Sequence, residues 1–349
     1  MTIKNQGSSR HHIQIIELLR GIAALGVVCY HFANSTLPTI KPNPLGSFFE
    51  WAKLGIPMFF LISGYVIPLS MHQSGYKIGD AGRFFLKRMI RMIPPAWIAI
   101  FLMMGIYFAG YALNGRPIEG MTWPGTSLKS VLANLFFSYK LFDIEKYIEA
   151  YWTLEVEFQF YILITFLFPL VVALAKKPVY LSLLLLGISC TYFLYDDRFM
   201  FFRDNSFFIL GILLFLHKTE QISKNYFLYA SFAATVACYM QQGVYGAAGS
   251  VMAILSMNYV RLNNPITTFL GMISFSLYIT HKVSGVVAEF LLRNLTGFHL
   301  SDPIKVLMFF VYIAISIAFA WIFYKLIEAP SMNWSKKIRL KKTIHPVSN

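Results

Sequence analysis

The stretch Glu17-Leu-Leu-Arg20-Gly-Ile-Ala-Ala-Leu-Gly-Val-Val-Cys-Tyr-His31-Phe32 decides the reading of this chain. It is an apolar helix with an arginine near its start and a histidine near its end. The eleven-residue step from Arg20 to His31 is about three full turns, which puts both side chains on one face roughly 16 Å apart. Glu17 falls near the same stripe, one turn before Arg20. Ionisable groups in a bilayer-crossing helix face a bundle interior or a wet cavity, because lipid exposure is costly. This face is therefore a candidate site. The plainer reading makes Arg20 a residue that reaches for the interface and His31 a hydrogen-bonded member of the bundle.

The rest of the chain agrees that the solvent is lipid. Of 349 residues, 57% are hydrophobic and only 13% charged, against about 25% charged in ordinary globular domains; the mean hydropathy is +0.58. These values exclude a soluble domain. The net charge of +14 reads as loops that hold a membrane protein in place, rather than as a nucleic-acid surface. Cys29, Cys190 and Cys238 sit in apolar runs without metal-like spacing, so neither a disulfide framework nor a metal site is expected.

The fold class is all-α, polytopic, with about ten transmembrane helices. Residues 1–12 read as a loose cytoplasmic tail, 13–330 as the transmembrane domain and 331–349 as a basic cytoplasmic tail. Apolar runs fall at about 14–34, 48–70, a third ending near 112, then 151–175, 179–195, 205–217, 226–241, 246–260, 267–292 and 304–328. A polar loop is expected at about 71–92, closed by Pro94-Pro95, and the longest polar connection at 113–149. With the N-terminus inside, cytoplasmic segments hold about 19 Lys and Arg and outer segments about 11, so the positive-inside rule places both termini in the cytoplasm. No inverted repeat is evident.

Five motifs then follow in order. Glu17, Arg20 and His31 form the first. Phe59-Phe60-Leu-Ile-Ser63-Gly64, Arg88-Met-Ile-Arg91 before Pro94, Trp152-Thr-Leu-Glu-Val-Glu157-Phe-Gln-Phe160-Tyr161 and Ser274-Phe-Ser276-Leu-Tyr278-Ile-Thr-His281 complete the set. Together they resemble the membrane acyltransferase 3 family, in the form without a C-terminal hydrolase-like domain. The chain departs from that pattern with Glu17 in place of the commoner Asp and Thr153 in place of Ser. The resemblance implies a membrane-bound O-acyltransferase of a bacterial inner membrane. It would move an acyl group, most often acetyl from cytoplasmic acetyl-CoA, to a hydroxyl of a cell-surface or lipid-linked carbohydrate. Acetyl-CoA is then a substrate, with no tightly bound cofactor.

The resemblance implies that His31 is catalytic, and a neutral imidazole can take a proton from a hydroxyl. It selects Glu157 over Glu155, which leaves the helix about 200° away; the alternative is an interface carboxylate. CoA phosphates need cations at the cytoplasmic side. Arg20, Arg88 and Arg91 are the candidates, with topology-setting charge as the competing explanation. Glu17 and Ser63 are expected to line the site. Ser274, Tyr278 and His281 share one helix face, where Tyr278 and His281 either bind the acceptor or pack the bundle. Trp152 is a candidate for stacking on a sugar ring, although the aromatic belt of any membrane protein accounts for it too. The rival from another class is a transporter or flippase of a glycan or lipid, with Arg20 and His31 as pathway residues.

Overall fold

The computed structural model describes residues 3–36, 43–115, 125, 127–196, 198–260, 262, 264–296 and 302–338. Among them the chain is helical, with no strand. In order the helices are α1 (Ile3–His31), α2 (Pro44–Phe48), α3 (Gly55–Gln73), α4 (Ala81–Asn114), α5 (Leu128–Leu135), α6 (Trp152–Leu174), α7 (Pro178–Cys190), α8 (Phe201–Lys218), α9 (Lys224–Tyr259), α10 (Pro265–Thr296), α11 (Asp302–Phe323) and α12 (Ala329–Lys337). A π-helical segment, Phe32–Thr36, continues α1, and another, Tyr324–Glu328, joins α11 to α12.

Six of the described segments are long and apolar enough to cross a membrane: Gln14–Asn34, Pro44–Gln73, Ile78–Leu113, Glu149–Leu174, Pro265–Phe290 and Asp302–Lys337. The other expected spans coincide with α7, α8 and the two halves of α9, which are shorter or less apolar. Helix α9 is two helices meeting at a kink, where Gln242 and Gly243 leave helical geometry, with Gly243 at φ +61°. Gly246 abuts the Cys238 carbonyl, a pair that a straight helix would hold about 12 Å apart. The two halves of α9 therefore fold back on each other, as the break between 241 and 246 in the sequence suggests.

Two expectations change. Residues 3–12 are not a loose segment: they belong to α1, because no proline interrupts the run and helix propagates from the apolar part. Most of the loop expected at 71–92 is helix as well, since α4 runs through Pro94 and Pro95. Each proline removes a backbone donor and frees the carbonyl four residues earlier, here Ile90 and Arg91. The Ser331 hydroxyl of α12 donates to the Ile90 carbonyl and lies 3.5 Å from that of Arg91. The same device recurs in α6, where Pro169 frees the Thr165 carbonyl and the Tyr76 hydroxyl donates to it at 2.7 Å. Neighbouring hydroxyls thus let proline persist inside long apolar helices.

Helix α8 is the central element, buried without a break from Asp204 to Leu216. It crosses α3 where Gly64 meets the Phe208 carbonyl and Gly211 meets the Leu61 carbonyl; a methyl group at either glycine would overlap backbone. Helices α1 and α10 run parallel, with Gly21 on Gly271 and Phe32 on Gly285. Helix α3 runs antiparallel to α1, with Ala23 at Gly55 and Gly26 at Trp51 and Ala52. The interior between α1, α3, α4, α6 and α10 holds the polar side chains described next. Lys336 and Lys337 close α12; residues 339–349 of the expected basic tail lie outside the described residues.

Candidate active site

A cavity of about 100 Å³ opens between α1, α3, α4, α6 and α10. Arg20, Arg88 and Arg91 line it together with Ser63, Glu157, Tyr161, Thr153 and Tyr278. Arg88 and Arg91 share a face because α4 remains helical through its prolines, and one turn separates them. Among the described residues, none of the three guanidinium groups makes a hydrogen bond or an ion pair. The Arg88 Nε is buried and unpartnered, with the group lying 5.4 Å from the Phe84 ring centre and 5.9 Å from that of Tyr161. Glu157 and Glu328 act on the arginines electrostatically without closing to ion-pair distance. Three like charges around one low-dielectric cavity repel one another and favour an anion between them.

The carboxylate of Glu157 is held in place. Its Oε1 accepts from the Ser63 hydroxyl at 2.9 Å and from the Tyr161 hydroxyl at 2.7 Å. Neither donor is a histidine, so Glu157 belongs to the arginine side of the site. Tyr278 and Phe59 also line the cavity, their rings 5.6 Å apart. The Tyr278 hydroxyl donates to the Ala150 carbonyl at 3.0 Å and contacts the Thr153 hydroxyl at 2.8 Å. That leaves the ring little freedom.

The two histidines sit one layer farther along α1 and α10 and do not line the cavity. The rings of His31 and His281 stack at 5.1 Å with 29° between their planes. His281 is fully buried, and its Nδ1 lies 2.6 Å from the Tyr278 carbonyl. A carbonyl only accepts, so Nδ1 carries the proton and Nε2 is a lone-pair acceptor; Nε2 has no partner among the described residues. At the same level Lys282 pairs with Glu149 at 3.6 Å, and both charges act on His31.

The site residues expected from sequence thus divide. Arg20, Arg88, Arg91, Ser63, Glu157 and Tyr278 meet at the cavity, while His31 and His281 form a second layer behind Tyr278. Glu17 is half-buried outside the cavity, where it feels the charge of Arg20. Trp152 also lies outside: it packs edge-on to Phe60, and the Arg203 guanidinium covers its ring at 4.8 Å.

Sequence reading missed two residues. Tyr161 could have been found, since it stands one helical turn after Glu157. Glu328 carried a weaker signal, a lone carboxylate near the end of an apolar run. It is buried in the π-helical segment, where its Oε2 accepts from the Ser276 backbone N–H at 3.1 Å and the Ser276 hydroxyl at 2.5 Å. Such wide turns recur at functional sites.

Comparisons with known proteins now bear on this arrangement. A protein of Staphylococcus aureus (strain COL) named "Putative O-acetyltransferase" is 23% identical over 93% of this chain and 59% of its own length. The chain therefore spans less than two thirds of that relative. A "Putative acetyltransferase" of Acidianus two-tailed virus is 25% identical over 80% of the chain and 85% of its own length. The peptidoglycan O-acetyltransferase OatA of Listeria monocytogenes is 23% identical over 52% of the chain and 28% of its own length. No solved structure matches. The acyltransferase 3 model, described as an acyltransferase domain, matches residues 13–325; with nearly the whole helical bundle inside that match, the chain belongs to the acyltransferase 3 family.

Proposed function

We propose that this protein transfers an acetyl group from cytoplasmic acetyl-CoA to a hydroxyl of a cell-surface or lipid-linked carbohydrate. The observation that carries the reading is the set of three guanidinium groups, Arg20, Arg88 and Arg91, around one cavity without ion-pair partners among the described residues. Acetyl-CoA has several phosphate charges and does not cross lipid, so such a cluster suits its diphosphate at the cytoplasmic end. Glu157, fixed by Ser63 and Tyr161, limits the positive charge there. The pantetheine arm then extends toward Tyr278.

At the other end His31 acts as general base. Its imidazole removes the proton from the acceptor hydroxyl as the oxygen attacks the thioester carbonyl, and the sulfur leaves on CoA and takes up a proton. His281 supports the ring by stacking. This direction requires ten spans, with both termini in the cytoplasm and the histidine layer toward the outside of a bacterial inner membrane. The name of the Listeria relative gives peptidoglycan as one acceptor of this kind.

The test is donor binding. CoA should stabilise the purified protein in detergent and bind more weakly to Arg88→Ala and Arg91→Ala. Equal affinity in wild type and both variants would remove the arginines from donor binding and the reading with them.

A further inference from the structure

Glu328 acts on the arginines from outside their cavity. It is buried, yet it does not line the cavity. Its Oε2 accepts from the Ser276 hydroxyl and N–H, and Ser276 follows the cavity-lining pair Ser274 and Phe275 on α10. One turn after Glu328, the Ser331 hydroxyl donates to the Ile90 carbonyl, beside Arg91 on α4. The junction of α11 and α12 is thereby tied to two of the helices that enclose the cavity. While Ser276 holds it, the carboxylate stays where it is.

Two carboxylates share three guanidinium groups. The charge of Glu157 acts on Arg20 and Arg88, and that of Glu328 acts on Arg20 and Arg91. Glu157 lines the cavity, so a ligand there meets it directly. Glu328 reaches a ligand only through the field it sets at Arg20 and Arg91. In a low-dielectric interior such a field extends well past contact distance.

Free CoA keeps every phosphate of acetyl-CoA, so arginines that hold the donor hold the product equally well. Binding of that uniform kind lowers KM without raising kcat, and tight product binding slows release. We infer that Glu328 is a positioning residue whose fixed negative charge weakens the hold of Arg20 and Arg91 on the CoA diphosphate, so that product CoA leaves. The inference rests on the reading of the cavity as the acyl-CoA site. A residue that only supports the fold lowers affinity when it is altered; removing this charge raises it.

The experiment measures the affinity and the dissociation rate of CoA with the detergent-purified full chain, for wild type, Glu328→Gln, Glu328→Ala and Glu328→Asp. Glutamine and alanine both remove the charge, and glutamine keeps an acceptor for Ser276, so the pair guards against loss of fold. Aspartate keeps the charge. The expected result is CoA bound about five-fold or more tightly by Glu328→Gln than by wild type, with dissociation slowed by a similar factor. Glu328→Asp should stay within about two-fold of wild type. Folded neutral variants that bind CoA no more tightly than wild type would overturn the inference, and so would equal tightening in Glu328→Asp. Neutral variants that stay unfolded with saturating CoA present would overturn it too, because tighter binding stabilises the folded state. Failure of wild type to bind CoA would instead defeat the donor reading, and this inference with it.

Discussion

The imidazole of His281 stacks on that of His31 while its own Nδ1 is committed to the Tyr278 carbonyl. One ring is thus locked in a single tautomer and presents its face to the other. A proton taken up by His31 is then stabilised by a neutral ring beside it, as a cation over an aromatic face. His281→Phe keeps the face but loses the bond to Tyr278. We expect kcat to fall by about ten-fold, the equivalent of about 1.4 kcal/mol, while the donor KM changes less than two-fold. Steady-state kinetics with varied acetyl-CoA would check this; a raised donor KM with unchanged kcat would place His281 in the donor site instead.

Arg88 and Arg91 line one cavity without ion-pair partners among the described residues. A hydrogen bond to a charged group contributes about 1.5–3 kcal/mol, so replacing either by Ala should weaken CoA binding by about 10- to 150-fold. Lysine at these positions should restore only part of the loss, because it lacks the planar fork that matches a phosphate. Calorimetric titration with CoA would measure both effects. The affinity should also fall as salt rises.

Glu328 accepts two hydrogen bonds from Ser276 in the buried π-helical segment. Glu328→Ala leaves the buried Ser276 hydroxyl without this acceptor, at a cost of about 1–3 kcal/mol, while the Ser276 N–H keeps the carbonyl available to it within α10. Glu328→Gln retains an acceptor oxygen. Thermal unfolding in detergent should therefore show Glu328→Ala clearly less stable than Glu328→Gln; equal losses would mean that charge, not hydrogen bonding, is what Glu328 supplies.

Gly64 lies against the Phe208 carbonyl where α3 crosses α8. Gly64→Val must push two backbones apart, and overpacking of this kind costs about 1–3 kcal/mol or more. We expect a poorly stable protein with low recovery after extraction, whereas Gly79→Ala, where a methyl group meets nothing within 4 Å, should behave as wild type.

Much of this site was legible in the sequence because helical spacing is local. The step from Arg20 to His31, the single turn from Arg88 to Arg91 and the shared face of Tyr278 and His281 all follow from the pitch of one helix. What no local rule supplies is depth across helices. The contact of Tyr278 with Phe59 depends on how α3 and α10 come together. Glu328 and Ser276 are brought together from positions 52 residues apart. The expected loop before Pro94 was misread for the same reason, since the hydroxyl that relieves the proline comes from Ser331, far along the chain. Trp152 looked available to a sugar until Arg203, on another helix, was found over its ring.

If His31 is the base of an acetyl transfer, CoA release and glycan labelling both depend on it. Radiolabelled acetyl-CoA added to purified protein with soluble peptidoglycan fragments as acceptor measures both, comparing wild type with His31→Gln. Wild type should release CoA and leave alkali-labile label on the glycan, and a His31→Gln protein that still binds CoA should lose both by at least a hundred-fold. Equal release and labelling by the two proteins would contradict it.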